Sequence, residues 1–103
     1  VSHSMEEAYR DADIIYVKAW GSLKHYGKFE EEKKLRVKYR DWICNEELME
    51  LTNKNSIFMH CLPIRRNVEA TDEVIDGSHS VVYDEAENRL HVQKAILSLI
   101  MRE

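Results

Sequence analysis

One proline, three glycines and two cysteines among 103 residues rule out several classes of protein at once. So little proline and glycine excludes collagen-like repetition and low-complexity linkers, and 44% hydrophobic residues excludes a chain too polar to bury a core. The two cysteines, Cys44 and Cys61, stand in unrelated contexts and supply neither a disulfide framework nor a zinc motif. Histidines at 3, 25, 60, 79 and 91 add no metal-ligand spacing. A basic face is missing too: the net charge is −4 with the signs interspersed, which argues against nucleic acid as a partner. No apolar run approaches the ~20 residues of a membrane helix, and Val1-Ser2-His3-Ser4 has neither the charged start nor the apolar centre of a signal peptide. The expectation is a cytoplasmic protein with no membrane partner.

What is present reads as alternating helices and short strands. Ser4-Met5-Glu6-Glu7 has capping-box spacing and predicts a helix from about Ser4 to Arg10. Ile14-Ile15-Tyr16-Val17 is apolar without alternation, the pattern of a strand covered on both faces of a parallel sheet. A loop follows from Lys18 to Gly27, then an exposed helix from Lys28 to Tyr39. A further helix, about Asn45 to Thr52, has Leu48 and Leu51 on one face, with Asn45 or Asn53 available as caps. Ile57-Phe58-Met59-His60 predicts a second buried strand, Thr71 to Ile75 a helical turn, and Ser80-Val81-Val82-Tyr83 a third strand. Asp84 to Met101 predicts a long amphipathic helix, with Ala86, Leu90, Val92, Ala95, Ile96, Leu99 and Ile100 apolar. The fold class is α/β: part of a Rossmann-like three-layer sandwich with a short parallel sheet and a long C-terminal helix. Three short strands make a poor two-sided sheet, so the domain reads as truncated on its N-terminal side.

Three features carry chemistry, and each follows a predicted strand: Lys18 with Trp20, the loop from His60 to Arg66, and Asp84-Glu85-Ala86-Glu87-Asn88-Arg89. Ligands of open α/β sheets bind beyond the carboxyl ends of the strands, where Lys18, Arg65 and Arg89 can converge as cations. His60 and Cys61 do not form a catalytic dyad, because adjacent residues of an extended backbone point to opposite sides. The plain alternative for Cys61 is a small buried hydrophobe, and for Trp20 a core aromatic. Arg89 lies in the first two turns of a helix, where the dipole disfavours a cation; its plain alternative is an ion pair with Glu85 at i−4.

His60-Cys61-Leu62-Pro63 together with Asp84-Glu85-Ala86-Glu87-Asn88-Arg89 resembles the paired signature of the aspartate/ornithine carbamoyltransferase superfamily. The resemblance runs from Ala12-Asp13-Ile14-Ile15-Tyr16-Val17-Lys18-Ala19-Trp20-Gly21 to Asn88-Arg89-Leu90-His91-Val92-Gln93-Lys94-Ala95. It implies that residues 1–103 are the C-terminal portion of the ornithine/aspartate-binding domain, with the carbamoyl-phosphate domain absent and the chain inactive alone. Ornithine enzymes of the family carry an aspartate two residues before this tryptophan. Here the residue is Lys18, which would repel a free α-ammonium but bind the carboxylate of an N-acylated ornithine. Leu62-Pro63-Ile64-Arg65-Arg66-Asn67-Val68 resembles the acetylornithine and succinylornithine branch. Glu69 stands where the acetylornithine enzymes have a lysine that becomes carboxylated, so it offers a shorter anion.

The reaction implied by the resemblance is attack of a side-chain amine on the carbamoyl carbon of carbamoyl phosphate, part of arginine biosynthesis, with no cofactor. Backbone carbonyls around Cys61 and Leu62 would accept from the carbamoyl amide, and Arg89 would donate where negative charge develops. Lys18 and Leu62 would position the amino acid, with Trp20, His60, Pro63, Arg65 and Glu69 lining the site. The implied parent is a homotrimer whose partners are carbamoyl phosphate and N-acylornithine. Competing readings are a transcarbamylase of another amine and a non-catalytic module of the same fold.

Overall fold

The computed structural model describes residues 1–21 and 23–102; Ser22, inside the expected 18–27 loop, and Glu103 lie outside the described residues. In chain order the elements are helix α1 (Met5–Tyr9), strand β1 (Ile14–Tyr16), a 3-10 turn (Leu23–His25), helices α2 (Phe29–Lys38) and α3 (Glu46–Met49), strand β2 (Ile57–Met59), and helices α4 (Asp72–Ile75) and α5 (Val82–Ile100). β1 and β2 pair in parallel, with Ile14, Ile15 and Tyr16 opposite Ile57, Phe58 and Met59.

Local chemistry explains the boundaries. The Ser4 hydroxyl accepts the Glu7 N–H at 3.3 Å to open α1, and the Asn45 side chain accepts the Leu48 N–H at 3.0 Å to open α3. Asn53 works elsewhere: its amide donates to the Asp11 carbonyl and the Asp13 carboxylate, tying the end of α3 to the turn before β1. Gly77 closes α4 where an added Cβ would sit 2.5 Å from the Glu73 carbonyl oxygen, so only glycine fits.

The core gathers around the sheet. Phe58 and Ala70 are fully buried, and Ile75, Val74, Cys44, Met49, Ile15, Tyr9 and Val82 surround them. The expected third strand at 80–83 is corrected. Phe58 donates to the His79 carbonyl, and the Val81 N–H donates back to Phe58, which leaves Ser80 as a single parallel bridge. The chain then turns into α5 at Val82 rather than at Asp84. A short β-branched run does not distinguish a strand from the first turn of a helix, and here the Glu85 N–H donates to the Val81 carbonyl four residues back at 2.9 Å, which opens the helix, with Val82 buried at 1% exposed. α3 is likewise shorter than expected, ending at Met49.

After Ala86, α5 leaves the core, and its remaining residues are exposed through Arg102. The radius of gyration, 16.5 Å, exceeds the ~13 Å of a compact chain of this size, as a standing helix requires. No helix among the described residues is long and apolar enough to cross a membrane.

Candidate active site

Both strands end at the same edge, and the chain turns sharply after each. Beyond β2, His60 is fully buried and its Nδ1 accepts the Leu62 N–H at 2.9 Å. This bond folds the backbone back on itself: Leu62 takes a left-handed conformation with φ 48°, and the Leu62–Pro63 peptide is cis. A left-handed non-glycine residue costs of order 1–3 kcal/mol and persists only where its surroundings hold it. The half-buried Cys61 is thereby carried to the sheet edge with its carbonyl turned toward α5.

There it meets Arg89. The guanidinium Nη2 donates to the Cys61 carbonyl at 2.9 Å across 28 residues of sequence, so the pair with Glu85 is not what Arg89 makes. With α5 opening at Val82, Arg89 stands in its third turn, beyond the reach of the N-terminal dipole, and a strand-end carbonyl receives it. Tyr16, Cys61, Val81, Glu85 and Arg89 line a cleft of about 600 Å³. Partial desolvation, a hydrogen bond with Cys61 and the negative charge of Glu85 push the Tyr16 phenol up to about 12, so it stays a neutral donor at any physiological pH.

Lys18 follows β1, is exposed, and lines a cavity of about 330 Å³ with Trp20, Tyr9, Cys44 and Glu69, and Tyr16 lines both this cavity and the cleft at Arg89. Of the two cations expected to converge with it, Arg65 pairs with Glu69 (Nε to Oε1 3.6 Å) and Arg89 with Cys61. Trp20 is half-buried, Pro63 exposed and Leu62 half-buried. The Glu69 carboxylate is fully withdrawn from solvent. It accepts the Arg65 N–H at 2.7 Å and the Trp20 N–H at 3.4 Å. His60 Nε2 faces it at 3.8 Å.

Sequence reasoning missed Arg36. From the last turn of α2 its Nη2 donates to the Trp20 carbonyl at 2.8 Å and to Glu32 at 2.8 Å. Glu32 and Arg36 stand at i and i+4, the one available signal, which reads equally as a surface pair. Among the described residues no group of three or more His, Cys, Asp or Glu is placed to hold a metal ion.

The model of the aspartate/ornithine carbamoyltransferase family, Asp/Orn-binding domain, matches residues 1–100. The chain belongs to this family. It is 54% identical over 100 residues to the N-acetylornithine carbamoyltransferase of Xylella fastidiosa, a match over 97% of this chain and 30% of that protein. To the ornithine carbamoyltransferase of Methanothermobacter thermautotrophicus it is 52% identical, over 98% of this chain and 33% of the relative. Among solved structures, acetylornithine transcarbamylase complexed with acetylcitrulline superposes with a TM-score of 0.86 at 50% identity, covering 98% of this chain and 30% of that one. An N-acetyl-L-ornithine transcarbamylase variant has been solved with carbamyl phosphate and N-succinyl-L-norvaline, at a TM-score of 0.84. The chain thus spans about 30% of the length of the transcarbamylases it matches.

Proposed function

We propose that the chain is the C-terminal portion of the amino-acid-binding domain of a cytoplasmic, homotrimeric transcarbamylase. Its reaction moves the carbamoyl group of carbamoyl phosphate onto the side-chain amine of an N-acylated ornithine. The observation that carries the proposal is the Arg89–Cys61 contact, which unites the two distant motifs of the family at one strand edge.

The chemistry follows from that edge. The Cys61 carbonyl has a second lone pair, and Arg89 has further N–H donors beyond the one used on Cys61. A carbamoyl group held here would donate its amide protons to the carbonyls of Cys61 and Leu62. Its oxygen would take the guanidinium of Arg89, where charge grows as the amine attacks the carbamoyl carbon. The tetrahedral intermediate collapses with loss of phosphate, and the acceptor nitrogen that formed the new C–N bond sheds a proton. No step calls on a cofactor. Lys18 binds the substrate carboxylate, and its charge disfavours a free α-ammonium. The N-acylated ligands of the solved relatives support an acyl group on the acceptor. Phosphate binding falls to a carbamoyl-phosphate domain elsewhere in the polypeptide, so residues 1–103 alone should not turn over.

A second reading, free ornithine as acceptor, is favoured by the 52% identity to an ornithine carbamoyltransferase. The two separate in one assay on the full-length protein, with ornithine, N-acetylornithine and N-succinylornithine offered singly with carbamoyl phosphate. Carbamoylation of an acylated acceptor is expected. Carbamoylation of ornithine alone would replace the first reading by the second, and turnover of none would remove both.

A further inference from the structure

Glu69 is a carboxylate with no exposed surface, and an ionised carboxyl so placed costs several kcal/mol unless donors surround it. Its donors tie together parts of the chain that are far apart in sequence. Oε2 takes the Arg65 N–H from the loop after β2, and Oε1 takes the Trp20 N–H from the loop after β1, 49 residues away. With Nδ1 of His60 accepting from Leu62, a neutral imidazole carries its proton on Nε2, and that nitrogen faces Glu69 at 3.8 Å with no other partner.

The next peptide, which carries the Trp20 carbonyl, is held as well. Its carbonyl takes Arg36 Nη2 at 2.8 Å, and Arg36 is braced by Glu32 one helical turn back. Among the described residues the remaining backbone bond within 18–21 is the local Gly21-to-Ala19 turn, and Gly21 has open space around it. The segment that presents Lys18 therefore leaves the sheet and is secured two residues later by two side chains, one at the Trp20 N–H and one at its carbonyl.

We propose that Glu69 and Arg36 are positioning residues that clamp the Trp20 backbone and so fix Lys18 relative to the Cys61–Arg65 turn. This inference rests on the transcarbamylase reading for its effect on catalysis, but the clamp itself is a structural claim. Glu69 acts through Trp20 and Arg65 rather than by touching substrate, since its side chain has no exposed surface.

The experiment uses the full-length protein with Trp42→Phe as background, so that among this chain's tryptophans Trp20 alone reports. Iodide quenching of its emission is read beside steady-state kinetics with carbamoyl phosphate and the amino acid varied separately. Glu69→Gln turns an amide N–H toward a backbone donor, and Arg36→Met removes the donor to the Trp20 carbonyl. Each should raise iodide quenching about twofold. Each should also raise KM for the amino acid about tenfold, as loss of a charged hydrogen bond does, with KM for carbamoyl phosphate within about twofold. Arg36→Lys keeps one donor and should recover most of the loss. Unchanged quenching in both variants would overturn the clamp whatever the kinetics. Raised quenching with an unchanged amino-acid KM would overturn the positioning role. If no acceptor is turned over, quenching still judges the clamp while the failure falls on the transcarbamylase reading. Arg36→Met is partly exposed and keeps the test open should Glu69→Gln fail to fold.

Discussion

Around the sheet, Phe58, Ile75, Cys44 and Val82 are at most 2% exposed, whereas along α5 Leu90, Leu97, Leu99 and Ile100 range from 55% to 73%. The two regions are comparably apolar in sequence and opposite in fate. The difference lies in what each can reach. Residues near β2 are surrounded by α1, α3, α4 and the opening of α5, while the rest of α5 extends past every other described element. An amphipathic pattern states that a face suits burial, not that the chain carrying it supplies the partner.

The largest expected difference is in stability. Phe58→Ala should cost about 3–5 kcal/mol by opening a cavity in the core, while Leu99→Ala should stay within about 0.5 kcal/mol in residues 1–103. Urea unfolding of the two variants measures both, and equal costs would show that α5 packs against the core in solution. Next is Arg89→Met, on the one part of α5 that does reach the sheet edge. Losing a donor at developing charge should lower kcat of the full-length protein about 10²–10³-fold with little change in stability, as kinetics and thermal unfolding would reveal together.

A smaller effect distinguishes the capped helices from α5, whose first turn has no side-chain cap. Asn45→Ala should destabilise by about 1 kcal/mol, read again by urea.

The smallest concerns acid. Arg66 donates to Asp72 and Asp76 at 2.7 Å, and these bonds hold both carboxyls below the ordinary aspartate value of 3.8. A depressed folded value means that the contribution is complete above about pH 4 and is lost as pH falls through the folded values. Arg66→Met should therefore flatten the low-pH end of the stability curve and leave neutral pH almost unchanged, in circular dichroism titrations.

Much of this was legible beforehand, for identifiable reasons. Ser4 and Asn45 announce their helices because capping is local, involving a side chain and an N–H three residues on. Ile14 to Tyr16 and Ile57 to Met59 read as parallel strands because neither run alternates, but only Ile15 and Phe58 are buried: the expectation of two covered faces is corrected for β1, where Ile14 and Tyr16 are exposed. Ser80 to Tyr83 misled because one backbone bridge and a buried Val82 look the same in sequence as a strand. The motifs pointed to Cys61 and Arg89, yet their contact spans 28 residues and needed the fold. Arg36 was invisible because its partner is a carbonyl, which every residue has. Glu69 was noticed for its charge, while its burial and its grip on Trp20 depend on pairing across 49 residues.

The central claim is that this domain selects an N-acylated amino acid and that Lys18 makes the choice. Its most direct test is the ratio of kcat/KM for N-acetylornithine over ornithine in the full-length protein and in Lys18→Asp. The account predicts a ratio well above one in the wild type that falls at least tenfold in the variant as the cation is exchanged for an anion. A ratio that Lys18→Asp leaves unchanged would contradict it.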